Sequence, residues 1–118
     1  MARYNLATLY LIKDNLSQAE TNLRLAIRNN PRFTPAYNNL AYVLWRRREY
    51  GEAEENLRIA VNLDPNYIDA HYNLGVIYYN LGDYSKAIDH FSKVEEIDES
   101  YRKVIMYLND ARRALRSR

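Results

Sequence analysis

Shifted against itself by 34 residues, the sequence matches in three successive copies without an insertion. Asn5-Leu6-Ala7 returns as Asn39-Leu40-Ala41 and Asn73-Leu74-Gly75. Ala19, Ala53 and Ala87 form a second column, Leu23, Leu57 and Phe91 a third, and Ala26, Ala60 and Val94 a fourth. Each copy closes on an aromatic, Phe33, Tyr67 or Tyr101, just after Asn30-Pro31, Asp64-Pro65 or Asp98-Glu99. A chain of this kind builds one small unit several times, and a unit so short buries its apolar face only by stacking on its neighbours. The copies run over residues 1–33, 34–67 and 68–101, and residues 102–118 follow them as one further element of a single domain.

Within each copy the apolar residues recur every three or four positions, the period of a helix, and nowhere in the strict alternation of a strand. Two helices per copy is the economical reading, about seven in all. In the third copy the first helix is expected from about Asp69 to Leu81 and the second from Tyr84 to near Ile97. Between them Gly82 supplies the left-handed conformation of a helix end, and Asp83 can cap the next helix. Pro31 and Pro65 are expected to stop the second helices, because proline has no N–H for the ladder. Ala7, Ala41 or Gly75 on the first helix and Ala19, Ala53 or Ala87 on the second let two backbones approach. Leu6, Leu40, Leu74, Leu23, Leu57 and Phe91 fill the space around them.

Together these columns resemble the tetratricopeptide repeat, whose signature is an aromatic, Leu-Gly, Tyr, Ala, Phe and Pro at fixed offsets in a 34-residue unit. The third copy carries His71, Leu74-Gly75, Tyr78, Ala87 and Phe91 at those offsets. The second carries Tyr37, Leu40-Ala41, Leu44, Ala53, Leu57 and Pro65, and the first Arg3, Leu6-Ala7, Tyr10, Ala19, Leu23 and Pro31. Arg3 and His71 depart from the opening aromatic, and Glu99 from the proline. The resemblance implies an all-α fold, a right-handed α-solenoid of helix-turn-helix repeats with the first helices on its concave side. Residues 102–118 keep the rhythm for one helix through Val104, Ile105, Leu108, Ala111 and Leu115, and read as a capping helix with a polar outer face. At the other end no capping residue precedes Ala2. The first repeat is therefore expected to be open, either continuing a longer array or meeting a partner.

Composition narrows the function. With no cysteine there is no disulfide framework, thiol nucleophile or cysteine-ligated zinc. The longest apolar runs fall far short of the roughly 20 residues that span a bilayer. The opening Met-Ala-Arg-Tyr-Asn lacks the features of a secretory leader, so either the protein stays inside the cell, a cytoplasmic location being favoured, or a targeting segment has been removed. His71 and His90, the 2 histidines, fall on different helices and give no metal or general-base motif. No phosphate loop or nucleophile motif occurs, so neither an enzyme nor a cofactor or metal site is expected. Lys and Arg against Asp and Glu number 5 and 2, 4 and 5, 2 and 7, and 6 and 1 in the four successive segments. The acidic third segment and the basic last one are expected to attract each other.

Turning about 100° per residue along the first helices separates a packing arc from a free one. In the second copy Tyr37, Leu40, Ala41 and Leu44 pack, leaving Asn38, Asn39, Tyr42, Trp45 and Arg46 free. The free arc of the first copy holds Tyr4, Asn5, Thr8, Leu11 and Ile12. That of the third holds Asp69, Tyr72, Asn73, Val76, Tyr79 and Asn80, and the last helix adds Lys103, Met106, Tyr107 and Asp110. Of the 12 tyrosines, Tyr10, Tyr37, Tyr50, Tyr67, Tyr78, Tyr84 and Tyr101 occupy scaffold columns. Tyr4, Tyr42, Tyr72, Tyr79 and Tyr107 do not, and aromatics displayed on a free arc suit protein binding or shield the helix surface. Asn5, Asn39 and Asn73 form a ladder whose amides can pair with an extended peptide's backbone, a role that the resemblance also implies.

The expected function is a non-enzymatic scaffold binding a protein segment or extended peptide. The peptide-binding residues are Tyr4, Asn5, Thr8, Asn39, Tyr42, Trp45, Arg46, Tyr72, Asn73, Val76, Tyr79 and Tyr107. Chaperone-binding members of the resembled family hold a terminal carboxylate with Lys and Asn, then Asn, then Lys and Arg. The matching positions here are Tyr4, Thr8, Asn39, Asp69 and Asn73, which argues against that ligand. The alternatives are self-association through the open first repeat and, more weakly, RNA binding by Arg46-Arg47-Arg48 and the tail Arg112, Arg113, Arg116 and Arg118.

Overall fold

A computed structural model describes residues 2–117; Met1, and Arg118 at the end of the basic tail, lie outside the described residues. Among those described there are seven helices and no strand. They are α1 (Ala2–Ile12), α2 (Leu16–Asn29), α3 (Thr34–Arg46), α4 (Tyr50–Leu63), α5 (Ile68–Asn80), α6 (Tyr84–Ile97) and α7 (Lys103–Arg116). The second helices start at Leu16, Tyr50 and Tyr84 and stop at Asn29, Leu63 and Ile97, so the sequence period is kept to the residue. The helices fall into two compact units, one up to Pro65 and one from Asn66.

Local backbone chemistry explains the turns. Asp14, Arg48 and Gly82 stand at the same place in the three repeats and all adopt positive φ, of 59°, 63° and 80°. Around them the N–H of Asn15 donates to the Tyr10 carbonyl (2.8 Å), that of Glu49 to Leu44 (2.9 Å) and that of Asp83 to Tyr78 (2.9 Å). Inside each of them a bond spanning three residues runs from Asp14 to Leu11, Arg48 to Trp45 or Gly82 to Tyr79. This pair of bonds is the Schellman closure, which satisfies the last carbonyls of a helix. Only Gly82 advertises it. Asn15 and Asp83 then cap α2 and α6, accepting from the N–H groups of Gln18 and Lys86 (both 3.3 Å).

At the second turn α2 and α4 stop just ahead of Pro31 and Pro65, as expected, but the stop does not require proline. α6 ends at the same repeat position as α2 and α4 although Glu99 replaces the proline. Asn30, Asp64 and Asp98 swing to φ of −144°, −139° and −145°, and each still donates its N–H to the preceding helix. Asp98 holds the turn by accepting from the Ser100 N–H (3.0 Å) and hydroxyl (2.6 Å), bonds that lower its carboxyl pKa. Asn30 accepts from the Arg32 N–H in the same way (3.3 Å). The Asx side chain turns the chain, and proline reinforces it.

In the first unit α3 packs on a helix on either side, α2 and α4, whereas α1 packs chiefly on α2 and touches α3 through Tyr4 and Asn39. Ala36, Leu40, Ala41, Val43 and Leu44 are consequently sealed. Two expectations change here. Leu6 is 38% exposed where its counterpart Leu40 is 2%, because among the described residues only α2 packs extensively on α1. Asn38, read as free, is buried, because α3 is covered from two directions. In the second unit α6 packs on both α5 and α7, and Ala70, Leu74, Ala87, Phe91, Val94, Val104, Leu108 and Ala111 form the core.

The α7 stripe is narrower than its spacing suggested, since Ile105 and Leu115 are exposed. Phe91 stacks on Tyr107 here, ring centroids 5.0 Å apart, so α6 and α7 meet through apolar groups. The expected attraction between the acidic and basic segments forms no ion pair among the described residues. The ion pairs that do form there are local: Lys86–Asp83, Lys93–Glu96 and Arg113–Asp110.

Candidate protein-binding faces

The free arcs of α1 and α3 carry the candidate residues of the first unit. Tyr4 sets its ring edge-on to Phe33, with centroids 5.0 Å apart, and its hydroxyl accepts from Asn39 Nδ2 (3.1 Å). Thr8 turns its hydroxyl inward to the Tyr4 carbonyl (3.0 Å). Tyr42 is exposed and lies under Arg46, whose Nη1 donates to its hydroxyl (3.1 Å) and whose Nη2 reaches Asp14 (2.9 Å). These bonds, Tyr42's first, raise the Arg46 pKa. Asn5 is exposed and Trp45 half-buried.

Arg47 points elsewhere. It donates to Glu20 (2.9 Å) and Ser17 (2.7 Å), and Glu20 pairs in turn with Arg24, which reaches Glu52 (2.8 Å). Two cations of the Arg46-Arg47-Arg48 run are therefore held in ion pairs, and Arg48 is the one member of that run exposed without one among the described residues.

The second unit gathers its candidates into one aromatic cluster. Tyr72 lies 5.5 Å from Tyr101, 6.0 Å from Tyr107 and 6.1 Å from Phe91, centroid to centroid. Tyr79 meets Tyr107 (5.2 Å) and Tyr84 (5.6 Å) edge to face. Such contacts hold the rings in fixed orientations and add about 0.5–1.5 kcal/mol apiece beyond burial. Burial, and then Tyr107 and Tyr101, push the Tyr72 pKa from 10.0 up to about 12. Tyr79 and Tyr101 also rise, through burial and then through Asp110 and Asp69 respectively. Asn73 and Val76 are half-buried on the same helix. Tyr50, placed with the scaffold by its column, is exposed.

A set of polar positions escaped the sequence reading. His71 and His90 lie in different helices but approach with their Nδ1 atoms 3.1 Å apart, so one ring donates and the other accepts. His90 also stacks on Tyr78, the rings 20° from parallel. One repeat period earlier stands Asn56, and two periods earlier Asn22, both buried and both donating Nδ2 to a carbonyl one turn back (2.9 and 2.8 Å). Asn22 Oδ1 accepts from Arg3 Nη1 (3.2 Å). Arg3 and His71, which depart from the aromatic signature, are thus partners of a second departing column. The signal was available: positions 22, 56 and 90 are polar in all three copies. Among the described residues no three or more metal-ligating side chains come together, and no helix is long and apolar enough to cross a membrane.

Family models agree with this geometry in three places. The tetratricopeptide repeat is matched over residues 2–33 and again over 68–101, and a further TPR repeat model over residues 48–82. No curated protein matches the sequence. Among solved structures, the first TPR of Spaghetti (RPAP3) bound to the HSP90 peptide SRMEEVD superposes with a TM-score of 0.92 at 18% identity, covering 97% of this chain and 93% of that one. The first TPR domain of human RPAP3 gives 0.90 at 19% identity, over 98% and 91% of the two chains. MamA gives 0.88 at 23% identity, with 95% of this chain on 61% of that one. Likeness at these identities shows the fold, an all-α helical-repeat solenoid, and the three family matches show whose repeat it is. The chain belongs to the tetratricopeptide repeat family.

Proposed function

We propose that the chain is a non-enzymatic scaffold that binds a protein segment or extended peptide on the free arcs of its first helices. The observation that carries this reading is the state of the aromatic side chains there. Tyr72, Tyr79 and Tyr107 are held by one another, and Tyr42 by Arg46, yet none of the four is fully buried. Side chains already fixed in place lose little entropy when a ligand covers them. Asn5, Asn39 and Asn73 supply amides at repeat spacing for the ligand's backbone. Tyr4, Thr8, Trp45, Arg46 and Val76 complete the contact set. The protein solved with the HSP90 peptide shares the fold, but Tyr4, Thr8, Asn39, Asp69 and Asn73 offer no cation here for a terminal carboxylate, so an internal segment is the better ligand. In the test, proteins captured by the wild-type chain are identified by mass spectrometry, and the Asn39→Ala/Trp45→Ala variant is compared. The variant is expected to lose the captured partner; unchanged capture removes the assignment.

A second reading, self-association through the open side of α1, draws on the exposure of Leu6, Leu9 and Ile12. Light scattering that stays at the monomer mass at every concentration excludes it. RNA binding draws less support, because Arg46 and Arg47 are held in ion pairs.

A further inference from the structure

α7 follows α6 in the register of a first helix. Its residues fall one repeat period after those of α5, and the face that α5 turns to α6 can be named. His71 meets His90, Gly75 lies against Phe91, and Tyr78 stacks on His90. The counterparts on α7 are Ile105, Asn109 and Arg112, and all three are exposed. A surface built in the register of a helix-packing face therefore has nothing on it among the described residues.

The chemistry of that surface specifies its occupant. Arg102, Arg112 and Arg116 are exposed on it and have no ion pair among the described residues, and Arg113 at its edge has only Asp110 at 3.6 Å. Ile105, 43% exposed, stands among these cations. We propose that the outer face of α7 binds an acidic amphipathic helix, seated where the second helix of a fourth repeat would lie. The interface continues the stacking already present between α5 and α6, with carboxylates meeting the arginines and an apolar stripe covering Ile105. An anionic membrane fits less well. The segregated apolar side of α7 (Val104, Leu108 and Ala111) is already buried in the core, and the exposed side mixes apolar and charged residues without a stripe that could enter lipid.

The probe is a fluorescent, end-blocked peptide with the sequence of residues 84–99, which has the repeat's own second-helix stripe with 2 lysines and 5 carboxylates. By anisotropy the wild-type chain is expected to bind it, with affinity falling at least about tenfold between ~50 and ~300 mM salt, as for charge-steered association. The Arg112→Glu/Arg116→Glu variant is expected to lose binding at least about tenfold, and Arg112→Gln/Arg116→Gln to fall between, both with unchanged helix content. Asn39→Ala/Trp45→Ala is expected to bind the peptide like wild type, which separates this face from the one proposed above. No binding to the wild type, equal binding to the charge-reversed variant, or loss on Asn39→Ala/Trp45→Ala overturns the proposal. So does cosedimentation with phosphatidylserine-containing vesicles without binding of the peptide.

Discussion

Gly75 lies against the ring of Phe91 so closely that a Cβ on it would stand 2.5 Å from Cε1. The same two positions are filled by Ala7 with Leu23 and by Ala41 with Leu57 in the other repeats. Volume moves from one helix to the other while the pair stays packed. Phe91 has no slack to absorb the extra carbon, since it is fully buried and stacked on Tyr107.

Gly75→Ala is therefore expected to destabilise the fold. Overpacking costs about 1–3 kcal/mol, and the better helix propensity of alanine returns about 1, for a net loss of order 1 kcal/mol. In a Phe91→Leu background the clash is gone and the same substitution is expected to stabilise by about 0.5–1 kcal/mol. Urea denaturation of the four proteins in the cycle reads the change of sign; a loss of equal size in both backgrounds contradicts the pairing.

Arg48 occupies a left-handed position that costs a non-glycine residue about 1–2 kcal/mol, and its side chain is exposed. Arg48→Gly is expected to raise stability by about 0.5–1 kcal/mol after the greater freedom of glycine in the unfolded chain is counted. Asp14→Gly should gain less, because it removes the bond to Arg46. Thermal unfolding of the two variants ranks them.

Much of this was legible in advance, and the exceptions have physical causes. Helix boundaries followed from the period because each turn repeats the same backbone bonds. Asp14 and Arg48 hid their left-handed geometry because closure depends on those bonds, and glycine only makes it cheaper. Leu6 and Asn38 were misplaced because a helical wheel describes one helix and cannot tell that α3 is packed from two sides and α1 chiefly by α2. Of the candidate residues, the aromatic and asparagine columns could be read from sequence. Their mutual contacts could not, nor could the pairing of His71 with His90, since each joins residues on different helices.

Tyr72 gives a pH signature. Its pKa of about 12 exceeds the ordinary 10.0, so folding favours the protonated phenol. Below about pH 10 the folded and unfolded chains both keep that proton and the group adds no pH dependence. Between about 10 and 12 the unfolded chain releases it first, so stability falls as pH rises. Urea midpoints are expected to drop across that window and to drop less in Tyr72→Phe. An identical slope in the variant assigns the effect to other groups.

The peptide SRMEEVD is expected to show no saturable binding, because Asp69 and Asn73 stand where cations would hold its carboxylate. Isothermal titration calorimetry checks this. Binding that survives amidation of the peptide's C-terminus would show that it is held by other contacts.

The binding account is tested most directly by placing a photo-cross-linking amino acid at Tyr42 or Val76 on the first helices, or at Glu55 or Glu95 on the second helices, and irradiating in lysate. The expected result is a discrete protein adduct from positions 42 and 76 and none from 55 and 95. Adducts only from positions 55 and 95, or equally from all four, contradict the assignment of the first-helix faces as the binding surface.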